Sequence, residues 1–85
     1  MAKYEVRLVK KAQKQLDKLP DLVAGPILKV IFNLKFDPRP PGSKKLKGRS
    51  SYRVRSGNYR VIYEVLDTQL VVKVIALGHR KDIYG

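Results

Sequence analysis

The hydrophobic period of this chain changes twice, and that restricts its fold more than any other feature. Tyr4, Val6 and Leu8 alternate with Lys3, Glu5 and Arg7, the period-two pattern of a half-buried strand over Lys3 to Val9. From Lys10 the period lengthens. Ala12, Leu16 and Leu19 fall at i, i+4 and i+7, with Lys10, Lys11, Lys14 and Asp17 outside, which predicts a short amphipathic helix ended by Pro20. Leu22 to Phe36 reads as a second helix on the stripe Val23, Ile27, Val30, Ile31 and Leu34, stopped by Asp37-Pro38. Pro26 fits either its first turn, where a missing N–H costs little, or a kink.

The period then returns to two. Ser51–Arg55 and Tyr59–Leu66 flank Ser56-Gly57-Asn58, a hairpin turn tolerant of positive φ. Asp67-Thr68-Gln69 leads into Leu70–Leu77, a nearly continuous apolar run. Such a strand lies centrally or is covered on both faces, and Gly78 is expected to end it. The order is βααβββ, an α+β fold with a helical hairpin packed on one face of a four-stranded, mostly antiparallel sheet. At 85 residues the chain is one domain, 1–85, with a single modest core.

Covering one face leaves the other open. With Tyr52 and Val54 in the core, Arg53 and Arg55 stand on the open side, and Arg60 shares a face with Ile62 and Glu64. Charge concentrates in the same region. The chain carries 19 Lys+Arg against 7 Asp+Glu, a net charge of +12, which favours a polyanionic partner. No acidic residue lies between Asp37 and Glu64, whereas Lys44, Lys45, Lys47, Arg49, Arg53, Arg55 and Arg60 all do. The loop Asp37 to Arg49, rich in Pro, Gly and Lys, is long for a compact domain, which suits a binding role. His79, Arg80 and Lys81 continue the basic surface into the tail, which ends Asp82, Ile83, Tyr84, Gly85.

Several function classes drop out. The chain has no cysteine and one histidine, so a disulfide framework, a cysteine metal site and a nucleophilic triad are not expected. The charged, alternating N-terminus does not read as a secretory leader, and no segment approaches the ~20 apolar residues of a membrane span. A cytoplasmic location is expected, without membrane, metal or cofactor. Several guanidiniums with a near-terminal tyrosine suggest a phosphodiester site.

Tyr52-Arg53-Val54-Arg55, Gly57-Asn58-Tyr59-Arg60-Val61-Ile62-Tyr63-Glu64-Val65 and Gly78-His79-Arg80-Lys81-Asp82-Ile83-Tyr84 resemble the RelE toxins of bacterial and archaeal toxin–antitoxin systems. Leu16 to Pro20, Pro38-Arg39-Pro40 and Lys45-Leu46-Lys47-Gly48 fit the same pattern. The resemblance covers nearly the whole chain and is most specific over residues 45 to 84. It implies a microbial-ribonuclease-like sheet and an endoribonuclease that cuts messenger RNA in the ribosomal A site. It also implies an acidic RelB-like antitoxin as partner, beside the ribosome and messenger, and no direct DNA binding without the antitoxin. The family's basic pair falls on Arg53 and Arg55, its phosphate-binding arginine on Arg60, and its tail arginine and tyrosine on Arg80 and Tyr84. Lys44, Lys45, Lys47, Arg49, His79 and Lys81 are candidate RNA-binding residues.

The chemistry suits these residue types. RNA cleaves itself when the 2′-hydroxyl attacks the adjacent phosphorus. Guanidiniums clamp and neutralise the resulting phosphorane, and an aromatic ring can stack on a base to hold the attack in line. The chain departs from the family prototype by having Arg53 and Arg55 where that has lysines. Lysine can lose its proton when crowded by cations, while arginine stays charged. Proton removal then falls to His79 or to Tyr84, or is weakly catalysed, with much of the rate coming from ordering an RNA already poised by the ribosome. Two rival readings share the same residues: a ParE-like toxin that poisons DNA gyrase by binding, and a non-catalytic nucleic-acid-binding module. The full set Arg53, Arg55, Arg60, Arg80 and Tyr84 argues against the first. The lack of a helix-turn-helix pattern argues against the second.

Overall fold

The computed structural model describes residues 3–47 and 50–79. The elements run β1 (Glu5–Leu8), α1 (Lys10–Asp17), α2 (Asp21–Asn33), β2 (Lys44–Lys45), β3 (Ser51–Ser56), β4 (Tyr59–Leu66) and β5 (Val71–His79). The sheet order is β1-β5-β4-β3-β2. β1 lies parallel to β5, and every other neighbouring pair is antiparallel.

Two helices on a mostly antiparallel sheet is the expected architecture, and β5 is internal, as its apolar run requires. The sheet differs from expectation in having a fifth strand. Lys44 and Lys45, read as loop, pair with Arg53 and Tyr52 on β3. Two residues leave no periodicity to read, and the pairing is supplied by the neighbouring strand. β5 also continues two residues past Leu77. Gly78 pairs with Arg60 and His79 with Tyr59, so the ladder offered by β4 outweighs the weak strand preference of glycine.

The core lies between the hairpin and one sheet face. Ala12 and Leu16 of α1 and Ile27 and Ile31 of α2 are buried with Leu34, against Val54, Val61, Tyr63, Val65, Val72, Val74 and Leu77. Leu19, Val23 and Val30 pack at its margin. α2 ends earlier than the apolar stripe suggests. Leu34, Lys35 and Phe36 donate to carbonyls three residues back, at Ile31, Phe32 and Asn33, and tighten the chain out of the helix. Pro26 is the sixth residue of α2, inside the helix rather than in its first turn. The bond it cannot donate would have gone to Leu22, which is 91% exposed, where water can serve that carbonyl.

β1 covers only the first half of β5, up to Leu8 opposite Val74. Beyond it the β5 edge would be bare. The Gln15 side chain of α1 fills the gap by accepting the Leu77 N–H at 2.8 Å. Among the described residues no helix is long and apolar enough to cross a membrane.

Candidate nucleic-acid interface

The sheet face away from the helices carries the functional candidates. Val54 and Val61 are partners in register and both buried. Alternation therefore sends Arg53 and Arg55 of β3, and Arg60, Ile62 and Glu64 of β4, to the open side. Cross-strand register then sets the neighbours. Arg55 lies directly opposite Arg60, Arg53 opposite Ile62, and Lys44 of β2 opposite Arg53. Gly78 of β5 flanks Arg60, with open space where a side chain would begin. Ile62, Ala76 and Gly78 make a low, weakly polar floor beside the guanidiniums.

Toward β1, Arg7 donates to Glu5 at 2.5 Å and stands opposite Lys73, which in turn stands opposite Glu64. Toward β2, Lys44 faces Arg53 and Arg55 faces Arg60. Opposed residues on adjacent strands bring their Cβ atoms to about 5 Å, and like charges there destabilise a sheet. The cations gathered on this face give it a positive field that favours an anion.

The structure does not bring every sequence-predicted residue to this face. Lys44 joins it, whereas Lys45, in register with Tyr52, is turned to the helix side. Lys47 is exposed beyond the end of β2. His79 is in register with Tyr59, and the two rings meet edge to face with centroids 5.5 Å apart. His79 lines a crevice of about 250 Å³ with Gln15, Lys18, Leu19, Tyr59 and Leu77 on the helix side. The sheet thus separates the imidazole from Arg53, Arg55 and Arg60. Arg49, Arg80, Lys81 and Tyr84 lie outside the described residues.

Arg39 was not among the residues expected at the site. Its guanidinium donates to Asp67 at 2.7 and 3.3 Å and to the Tyr52 hydroxyl at 2.9 Å, and sits 5.2 Å from the centre of the Tyr52 ring. Tyr4 also donates to Asp67, at 2.6 Å. Tyr52 stacks on Tyr63, whose hydroxyl donates to the Pro38 carbonyl at 2.7 Å. These contacts fasten the proline segment to the sheet just before β2. Hydrogen bonds from Arg39 and then Tyr4 hold the Asp67 carboxyl below its ordinary value, while the bond to Asp67 raises the Tyr4 phenol. Burial pushes Tyr63 up to about 12. Arg39 and Asp67 lie 28 residues apart, so nothing local joins them; the one available signal is a single arginine set among prolines.

Comparison with known proteins agrees with the fold. The family model described as the ParE toxin of the type II toxin–antitoxin system parDE matches residues 6–84. Toxin RelG of Mycobacterium tuberculosis is 31% identical over 85 residues, covering 95% of each chain. Among solved structures, the archaeal RelE–RelB complex of Pyrococcus horikoshii contains a chain that superposes with a TM-score of 0.83 at 33% identity, over 96% of this chain and 99% of that one. The isolated Escherichia coli RelE toxin superposes with a TM-score of 0.80 at 28% identity, over 95% and 90%.

Proposed function

Because the chain belongs to the RelE family of type II toxin–antitoxin toxins, we propose that it is a metal-independent endoribonuclease that cuts messenger RNA in the ribosomal A site. The observation that carries this reading is the pair Arg55–Arg60, opposed across two strands on an open face beside a glycine. A gyrase poison acting by binding has no need of a clamp for one phosphate.

Arg60 and Arg80 clamp the scissile phosphate, and Arg53 and Arg55 add positive charge as the 2′-oxygen attacks and the phosphorane forms. The leaving group is the 5′-oxygen of the next nucleotide. With the His79 ring turned to the helix side, the 2′ proton is left to Tyr84 or to a group of the ribosome. The main task of Tyr84 is to stack on a base beside the cut and keep the attack in line. Lys44, Lys47, Arg49 and Lys81 contribute phosphate contacts and long-range attraction. The cell-side partner is an acidic antitoxin of the RelB kind that wraps this basic body, as the charge of +12 favours.

The test is cleavage of a messenger programmed into ribosomes, with its ends mapped. Arg60→Ala and Arg80→Ala should each slow cutting by roughly a hundredfold, a clamp of about 3 kcal/mol. If both variants cut at the wild-type rate, the assignment is wrong. In the same assay Tyr84→Phe should retain most activity while Tyr84→Ala loses roughly 1–3 kcal/mol of positioning. Equal losses would make the hydroxyl, and so the proton, its business instead.

A further inference from the structure

We propose that Gly78 seats the substrate: by carrying no side chain it lets the sugar–phosphate backbone of the RNA lie down on the sheet against Arg60. This rests on the ribonuclease reading and adds to it a residue that works by the space it leaves.

Among the described residues nothing in the fold asks for a glycine at this place. Gly42 and Gly57 have φ of 92° and 60°, where side chains are strained. Gly25 stands before Pro26 inside α2, where a Cβ would crowd the proline ring. Gly78 has neither reason. Its φ lies outside the positive region, and it is an ordinary ladder residue in register with Arg60. Among the described residues a Cβ there would meet no heavy atom within 4 Å outside its chain neighbours. A glycine in a strand costs chain entropy and packs nothing, so a small side chain would serve the fold better.

The place itself supplies the reason. Val61 and Leu77 are partners and both buried, so the next pair, Arg60 and Gly78, faces the open side together. Opposed positions put their Cβ atoms about 5 Å apart. A side chain at 78 would therefore rise beside the Arg60 stem. The other flank of Arg60 is taken by Arg55 of β3. An RNA strand held by Arg60 then comes down to the sheet over Gly78, and glycine is the residue that permits such a close approach. The bulge between Ile62 and Tyr63 arranges this. With the register of Tyr63 on Val74 continued, Leu77 would stand opposite Arg60; the skipped residue brings Gly78 there instead.

The experiment is a size series, Gly78→Ala and Gly78→Val, read for stability and for cutting of a messenger programmed into ribosomes. Gly78→Ala should raise the thermal midpoint by a few degrees, as replacing an unstrained glycine does, and yet slow cleavage about tenfold. Gly78→Val should slow it about a hundredfold, the scale of an ångström-sized misplacement of reacting groups. The loss should fall on the plateau rate and leave the half-saturating toxin concentration within about twofold, because the rest of the RNA is still held. Gly25→Ala on α2 should cut at the wild-type rate. In an Arg60→Ala background, Gly78→Ala should slow cleavage by less than about threefold more, since the phosphate has no clamp left to be pushed from.

Wild-type cutting by both Gly78 variants, a lower thermal midpoint in Gly78→Ala, or losses that multiply fully with Arg60→Ala would each refute the seating role while the ribonuclease reading stands. If the wild-type chain cuts no messenger, both fall.

Discussion

Arg55 is the residue whose placement is hardest to explain by folding. It is exposed, it stands opposite Arg60, and its strand would gain from almost any uncharged side chain there. Arg55→Ala should therefore raise unfolding free energy by a few tenths to about 1 kcal/mol while slowing messenger cleavage. Denaturant titration and the ribosome assay read the two effects separately. A destabilised Arg55→Ala variant would mean that this arginine serves the fold after all. That Arg53 and Arg55 share the open face was legible in the sequence, because a strand with one buried valine has only two ways to alternate. That Arg60 and Lys44 are their cross-strand neighbours was not, because register is decided between strands.

Among the elements, β2 and its anchor were the least visible. The helices, the β3–β4 hairpin and the apolar strand β5 each announce themselves by period or by turn chemistry. A two-residue strand does neither, and it follows a segment tied down by Arg39 on Asp67 and Tyr52. Arg39→Ala should leave the core intact, since the clamp lies at the surface, with Arg39 and Asp67 side chains 41% and 54% exposed. Hydrogen exchange should show the Leu46 amide, bonded to Ser51, losing protection while amides of β4 and β5 keep theirs. Uniform loss across the sheet would mean that the clamp supports the whole domain. Uniform retention would mean that the loop holds itself.

At the scale of the molecule, stability should respond to pH at both ends of the range for identifiable reasons. Tyr63 is fully buried, and its phenol is pushed up to about 12 from an ordinary 10.0. A folded-state pKa above the unfolded one gives stabilisation that is complete below pH 10 and lost as pH rises toward 12. Tyr4 is shifted the same way. Asp67 is held below its ordinary 3.8, so its contribution is present above that pH and lost as pH falls through the folded value. Tyr63→Phe should flatten the alkaline limb of a stability–pH curve measured by denaturant titration and leave the acid limb alone. An unchanged alkaline limb would show that Tyr63 ionisation does not govern it.

Local pattern was enough for the order of every element but β2, for which face of each helix is buried, and for the concentration of positive charge between Lys44 and Arg60. These follow from local period and composition, which each segment carries within itself. What lies beside what came from contacts between segments. The clearest case is β5. Its register against β4 shifts between Ile62 and Tyr63, so that Ile62 pairs with Ala76 but Tyr63 with Val74. The bulge passes over Ile75 and reverses the alternation beyond it. Val72 and Val74 point to the core, and after the bulge Leu77 and His79 share that side. Gly78 is thereby placed beside Arg60 and the His79 ring against Tyr59. Past Lys73 the run Val74-Ile75-Ala76-Leu77 carries no charge, so either parity looks equally good there. Pairing with β4 selects one, and in doing so separates the only histidine from the guanidiniums.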